Sequence, residues 1–275
     1  MAFDLATLDR PPAAAQRAVG RARLTVRSER GASCLARLYQ EGAAKLRLPR
    51  SRSGAVEAVM INSAGGMTGG DRFEWAVEAG PGAHVVLTTQ ACERIYRASA
   101  DVARVRARLT LDKGARIDWL PQETILFEGS VLSRRIEADL AAGARLLACE
   151  AVILGRHAMG ERFTRGLFQD RWRIRREGRL TFADDLKLAG DIPALTAAPA
   201  LLASAGAFAT LLLVSEDAEV RIDAVRAAVG KLGGASAFDG KLVARLAAPD
   251  GLSLRRALIP ALLALGAKPP AVWTL

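Results

Sequence analysis

The residues most suggestive of chemistry lie in Asn62-Ser63-Ala64-Gly65-Gly66-Met67-Thr68-Gly69-Gly70-Asp71, where Gly65, Gly66, Gly69 and Gly70 lead to a carboxylate. Glycine is used where φ must be positive or where backbones pass too closely for a Cβ. The run lacks the Gly-Lys-Ser/Thr ending of a P-loop, and its glycines do not fall as G-x-G-x-x-G before a helix. A strand pattern follows it, Phe73-Trp75-Val77-Ala79, so no helix N-terminus is available for a phosphate. A tight structural turn and a functional loop both fit. Two further acids, Glu123 and Glu161, share with Asp71 a Gly, Pro or Gln context typical of a turn or strand end, where an acid commonly caps or is solvated. The two histidines, His84 and His157, have no paired metal-ligand spacing, and no nucleophile elbow or cysteine signature flanks either. His84 reads as a strand residue after a glycine turn, and His157 as a loop residue.

The glycine loop is the first of several pieces that occur together. Gly65-Gly66-Met67-Thr68-Gly69-Gly70-Asp71-Arg72 resembles the signature of the urease accessory protein UreD family, called UreH in some organisms. In order there follow Thr88-Thr89-Gln90-Ala91, Arg94-Ile95-Tyr96-Arg97, Trp119-Leu120-Pro121-Gln122-Glu123-Thr124-Ile125-Leu126-Phe127, Gly155-Arg156, Met159-Gly160-Glu161 and Asp170-Arg171-Trp172-Arg173-Ile174. The resemblance runs from about residue 18 to the C-terminus. One departure is Ser63-Ala64, where many members have prolines before the first glycine pair. The resemblance implies a non-enzymatic urease maturation factor bridging the urease apoprotein and a complex of UreF with the GTPase UreG. It implies no cofactor, only transient Ni²⁺ on its way to the urease active site. In that family Asp71, Glu123 and Glu161 would line a water-filled nickel passage, with Thr88 and Ser99 as secondary candidates. Oxygen ligands suit such transit, because they hold a borderline metal more weakly than imidazole or thiolate clusters.

The elements that would carry these residues are mostly strands. Period-two alternation recurs at Ala22-Leu24-Val26, Phe73-Trp75-Val77, Ile136-Ala138-Leu140 and Trp172-Ile174, which predicts half-buried antiparallel strands. Gly82-Ala83-His84, Gly114-Ala115-Arg116 and Gly143-Ala144-Arg145 form a partial repeat of strand, glycine turn and strand. The expected fold is mainly β, an elongated two-sheet body of stacked antiparallel, solenoid-like strands over residues 1–195. A small helix-containing α/β part, 196–275, should pack on the same body. There Glu219 to Val229 reads as a helix with Asp217 as its cap, Leu242 to Leu246 as a strand, and Leu252 to Leu265 as a helix containing Pro260. The last segment is a candidate surface for the UreF-like partner.

Composition narrows the function classes. Met1 to Gly20 lacks a compact apolar run before a cleavage site, so no signal peptide is expected. Ile192 to Ser215 is the longest uncharged stretch but is broken by Pro193, Pro199 and Gly206, and reads as a helix start after Pro199 and a strand from Phe208 to Val214 rather than a membrane span. Cys34, Cys92 and Cys149 are far apart and odd in number, which indicates reduced thiols in a cytoplasmic protein. The net charge of +10 comes mainly from arginine, with six lysines among 39 basic residues. The arginines are spread through strands, and aromatics make up only 5%, so solvated or partner-facing strand faces are favoured over nucleic acid. Competing readings are a β-solenoid enzyme using Asp71, Glu123 and Glu161 on an acidic polysaccharide, and a basic RNA-binding β protein.

Overall fold

The structure, a computed structural model, describes residues 16–50 and 53–274; most of the Met1 to Gly20 segment lies outside them. Strand accounts for 52% and helix for about 16%. Between residues 100 and 180 the helical content is a three-residue turn, His157–Met159. One sheet contains β1 (Val19–Glu29), β2 (Ala32–Gly42), β5 (Arg72–Ala79), β8 (Ala103–Leu111), β11 (Val131–Leu140), β13 (Leu167–Arg176) and β14 (Arg179–Ala189), in the order β14-β13-β11-β8-β5-β1-β2. The other contains β3 (Ala44–Arg47), β4 (Val56–Asn62), β6 (His84–Thr89), β9 (Arg116–Trp119), β12 (Arg145–Leu154), β15 (Ala207–Val214), β16 (Gly233–Phe238) and β17 (Lys241–Ala248), in the order β16-β17-β15-β12-β9-β6-β4-β3. Two short strands, β7 (Glu93–Ile95) and β10 (Thr124–Leu126), extend it, β10 lying between β12 and β7.

The repeated Gly-Ala turns connect the sheets. At Gly82, Gly114 and Gly143 φ is +67°, +67° and +68°, and each turn carries the chain from a first-sheet strand to a second-sheet strand. The turns stack: Gly82 N–H donates to Lys113 O (3.0 Å), Arg116 N–H to Ala83 O (2.7 Å) and Arg145 N–H to Ala115 O (2.8 Å). Each circuit therefore returns to its starting sheet beside the previous strand and in the same direction.

This corrects the expected pairing sense. β1, β5, β8, β11 and β13 are joined by parallel ladders, as are β4, β6, β9 and β12. Alternation specifies that one face is buried; the connection decides direction. Antiparallel pairing is kept for the margins, in β1–β2, β13–β14, β3–β4 and the C-terminal strands.

Apolar side chains from the facing sheets, among them Leu24, Phe168 and Trp172, make the main core. A second core lies between the other face of the second sheet and two helices, α2 (Ile222–Val229) and α3 (Gly251–Ala264). Burial on both faces explains why β15 reads as a nearly continuous apolar run. Because β15 pairs with β12, the second sheet continues across residue 195.

Two local expectations change. The helix near Pro199 precedes it: α1 (Ile192–Ala197) has Pro193 in its first turn and the Asp191 carboxylate accepting from Ala194 N–H. Ala198, before Pro199, is extended, as the pyrrolidine ring requires. Asp217 does not cap α2; it accepts from Arg221 Nε (2.9 Å) and the Ser215 hydroxyl. Among the described residues no helix is long and apolar enough to cross a membrane.

The turn glycines give a direct test. A Cβ at Gly114 would meet nothing within 4 Å, so Gly114→Ala isolates the left-handed backbone cost, about 1–2 kcal/mol. Gly234, also uncrowded but without a positive φ, should tolerate alanine within about 0.5 kcal/mol. Urea unfolding midpoints of the two variants check this contrast.

Candidate functional site: an acid-lined chamber between the sheets

The glycine loop, between β4 and β5, lies against the segment Glu93–Arg97. Met67 N–H donates to Arg94 O (2.8 Å) and Tyr96 N–H to Met67 O (2.7 Å). Close approach explains Gly66, where φ is +144° and a Cβ would stand 2.4 Å from the Tyr96 ring and 2.9 Å from Arg94 O. Gly69 is held as tightly, its Cβ position 2.1 Å from Ala100 O. Asp71 closes the loop. It is buried, accepting from Ala18 N–H (2.8 Å) through one oxygen and Thr68 N–H (2.7 Å) through the other. The Asn62 amide donates to Gly66 O (3.0 Å) and Glu93 Oε1 (3.1 Å), joining the loop to an acid.

Beneath this loop is a chamber of about 280 Å³ between the sheets, with Gly65, Gly66, Glu93, Gln122, Arg134 and Glu150 among its lining. Gln90 and Ala91, both exposed, place its mouth at the surface. At its inner wall the Arg134 guanidinium donates to Asp170 through Nε (3.0 Å) and Nη2 (2.7 Å), and through Nη1 to Thr124 Oγ1 (3.3 Å) and to Glu150. The Trp119 indole donates to Glu150 (2.8 Å) and the Trp172 indole to Asp170 (3.1 Å). Two carboxylates thus share one buried cation.

Burial pushes the Glu150 carboxyl up to about 7 despite Arg134. It does the same to Glu93, up to about 7, against the opposing hydrogen bond from Asn62. Cys92, also on the chamber wall, is pushed up to about 11 by burial and by Glu123. Among the described residues no cluster of three or more His, Cys, Asp or Glu groups could hold a metal ion.

The three acids singled out in the sequence stand apart. Asp71 is the loop clasp. Glu123 is buried one residue beyond the chamber-lining Gln122, where Arg255 Nε donates to it (2.8 Å) and the Cys92 thiol lies 3.4 Å away. Glu161 borders a separate cavity of about 730 Å³ and accepts from Glu128 N–H (3.1 Å) and Arg156 Nε (3.2 Å). Thr88 is buried, accepting from the Trp273 indole (3.0 Å), while Ser99 is exposed. His84, at the start of β6, lies 2.9 Å from Asp118; His157 contacts Leu154 O at 3.0 Å.

Sequence reasoning missed Glu93, Glu150, Arg134 and Asp170. Arg134 and Asp170 do carry a signal, since both occupy inward positions of alternating strands. Glu150 likewise interrupts the apolar run of β12.

The family model described as UreD urease accessory protein matches residues 18–274. The chain belongs to this family. A urease accessory protein UreD from Agrobacterium fabrum is 52% identical, covering 96% of this chain and 94% of its own length. The protein of the same name from Rhizobium leguminosarum bv. trifolii is 55% identical over 94% and 96%, and that from Mesorhizobium japonicum 48% over 96% of each. UreD membership places the chain among accessory proteins of urease maturation. The geometry offers little to the polysaccharide-enzyme alternative. Its three acids lie on separate features, and each is already engaged by backbone N–H groups or a guanidinium.

Arg134→Leu in this UreD chain would leave Glu150 and Asp170 without their cation and should cost about 3–5 kcal/mol, read as a loss in denaturant midpoint. For Glu93, with a folded value of about 7 against an ordinary 4.5, the native state holds the proton more tightly than the unfolded chain. Its contribution is therefore present below about pH 4.5 and is lost as pH rises to about 7. Glu93→Gln should flatten that decline, leaving the part due to Glu150; unfolding midpoints from pH 5 to 8 measure it.

Proposed function

We propose that the chain is a non-catalytic, cytoplasmic urease maturation factor. It bridges the urease apoprotein and a UreF–UreG complex, and it helps deliver nickel into the urease active site. The observation that carries this reading is the acid-lined chamber, reached from the surface, in a chain of the UreD family. Nickel is cargo here, not a resident cofactor. A conduit must release what it holds, and a lone carboxylate such as Glu93 on the chamber wall suits brief contact with a hydrated ion better than a thiolate or imidazole cage. Asp71, Glu123 and Glu161 serve the passage chiefly by fixing its walls: Asp71 holds the loop over the chamber, Glu123 the segment leading into β10 by its bond to Arg255 of α3, and Glu161 the neighbouring loop.

The decisive experiment measures nickel per urease active site and recovery of the accessory complex side by side. Glu93→Ala should lower nickel loading several-fold while the complex is recovered in full. Asp71→Ala/Glu123→Ala/Glu161→Ala should lower both loading and recovery. Full nickel loading with Glu93→Ala would remove the chamber from the route.

The outer side of α3 is the proposed contact for UreF. Its inner residues Leu254, Leu258 and Leu262 are buried against the second sheet, whereas Leu252 and Leu263 are 61% and 54% exposed. Leu252→Glu/Leu263→Glu should weaken UreF capture about tenfold or more without shifting the thermal midpoint. Capture equal to wild type would place the interface elsewhere.

A further inference from the structure

The outward face of the first sheet repeatedly sets like charges side by side. Strand register sets Arg106, Arg135 and Arg171 side by side on β8, β11 and β13. It also sets Arg72 beside Arg104 on β5 and β8. Neighbouring strands are about 4.8 Å apart, and like charges directly opposite one another destabilise a sheet.

The acids on this face do not neutralise it. Glu137 is shared by Arg108 (3.7 Å) and Arg135 (2.7 Å), and Asp185 by Arg171 (3.2 Å) and Arg173. Among the described residues no carboxylate forms an ion pair with Arg106. In the middle of the face, Ala76 stands in register between Arg23 and Arg108. Its small side chain leaves a depression of about 220 Å³ lined by Arg21, Arg23, Arg106 and Arg108 against Glu74 and Glu78, with Arg21 paired to Glu74 (3.1 Å), so that its charge stays positive. Repulsion retained across several strands, around a hollow of its own, marks a surface shaped by something other than stability.

We propose that this face docks an acidic surface of a folded protein, with a protruding carboxylate side chain of that partner entering the hollow over Ala76. Charge complementarity identifies the partner's chemistry. The pattern also favours protein over nucleic acid. Glu74 and Glu137 sit within the arginine rows, where a continuous phosphate backbone would meet them. The outward positions of β1, β5, β8, β11 and β13 present no aromatic ring on which a base could stack. The surface lies on the opposite side of the first sheet from the chamber, so it is independent of the nickel route.

The test uses the full chain and two labelled probes, a twenty-residue Glu/Ala helical peptide and a twenty-nucleotide polyuridylate, followed by fluorescence anisotropy at low and physiological salt. The peptide should bind, and Arg106→Ala/Arg135→Ala/Arg171→Ala should weaken it about tenfold or more. Ala76→Met, which fills the hollow without changing charge, should weaken it measurably. Arg162→Ala/Lys231→Ala/Arg256→Ala removes the same charge from exposed positions elsewhere and should leave binding within about twofold. The arginine-row variant should also keep or raise its thermal midpoint, because like charges are removed; should it fail to fold, Arg106→Gln alone carries the same expectation at smaller size. Equal loss in the control triple would reduce the effect to net charge and overturn the proposal. So would absence of peptide binding, or tighter binding of polyuridylate that the arginine-row substitutions abolish.

Discussion

Much of this molecule depends on one guanidinium placed where a leucine would be expected. Arg134 projects from the first sheet into the space between the layers and meets Glu150 on the second and Asp170 on the strand beside it. Charges withdrawn from water are tolerated only when they are paired and their remaining hydrogen-bonding capacity is met. Here Thr124 and two indoles supply those further bonds. The polar knot occupies ground that apolar side chains fill elsewhere, and the chamber lies against it. An apolar replacement of the whole knot can be neutral or stabilising, but it would remove the acid from the chamber's inner wall.

The sequence pattern revealed the architecture better than the pairing. Alternating strands and the spaced Gly-Ala turns show two sheets linked by repeated turns, and the turns carry matching backbone angles. Parallel direction is a property of the circuit, not of any strand, so no local pattern could carry it. The C-terminal segments were legible for a simpler reason: an apolar strand and helices with one buried stripe each advertise their own burial.

The site was less legible. Asp71, Glu123 and Glu161 stand out because they sit in sequence contexts typical of a turn or strand end, yet such a context says nothing about which groups lie across from them. Two of their partners, Ala18 and Arg255, are set by tertiary approach, Arg255 coming from a helix 132 residues away, whereas Arg156 is a neighbour of Glu161 within the same loop. Glu93 and Glu150 were hidden in the opposite way. Each lies within a strand, and only the stacking of several circuits brings them to a common cavity.

The repeated turns carry a hazard as well as a scaffold. Parallel circuits, each adding a strand in the same sense, resemble the in-register stacking of a growing fibril, and an open end would recruit another chain. Both ends of the first sheet are closed off by a hairpin that reverses direction, β1–β2 at one end and β13–β14 at the other. Each closing pair is interrupted by a bulge, at Thr25/Val26 and at Ile174/Arg175. A bulge puts an edge out of register with any incoming strand. The two irregularities thus act as terminators, making a potentially endless stack into a particle of fixed length.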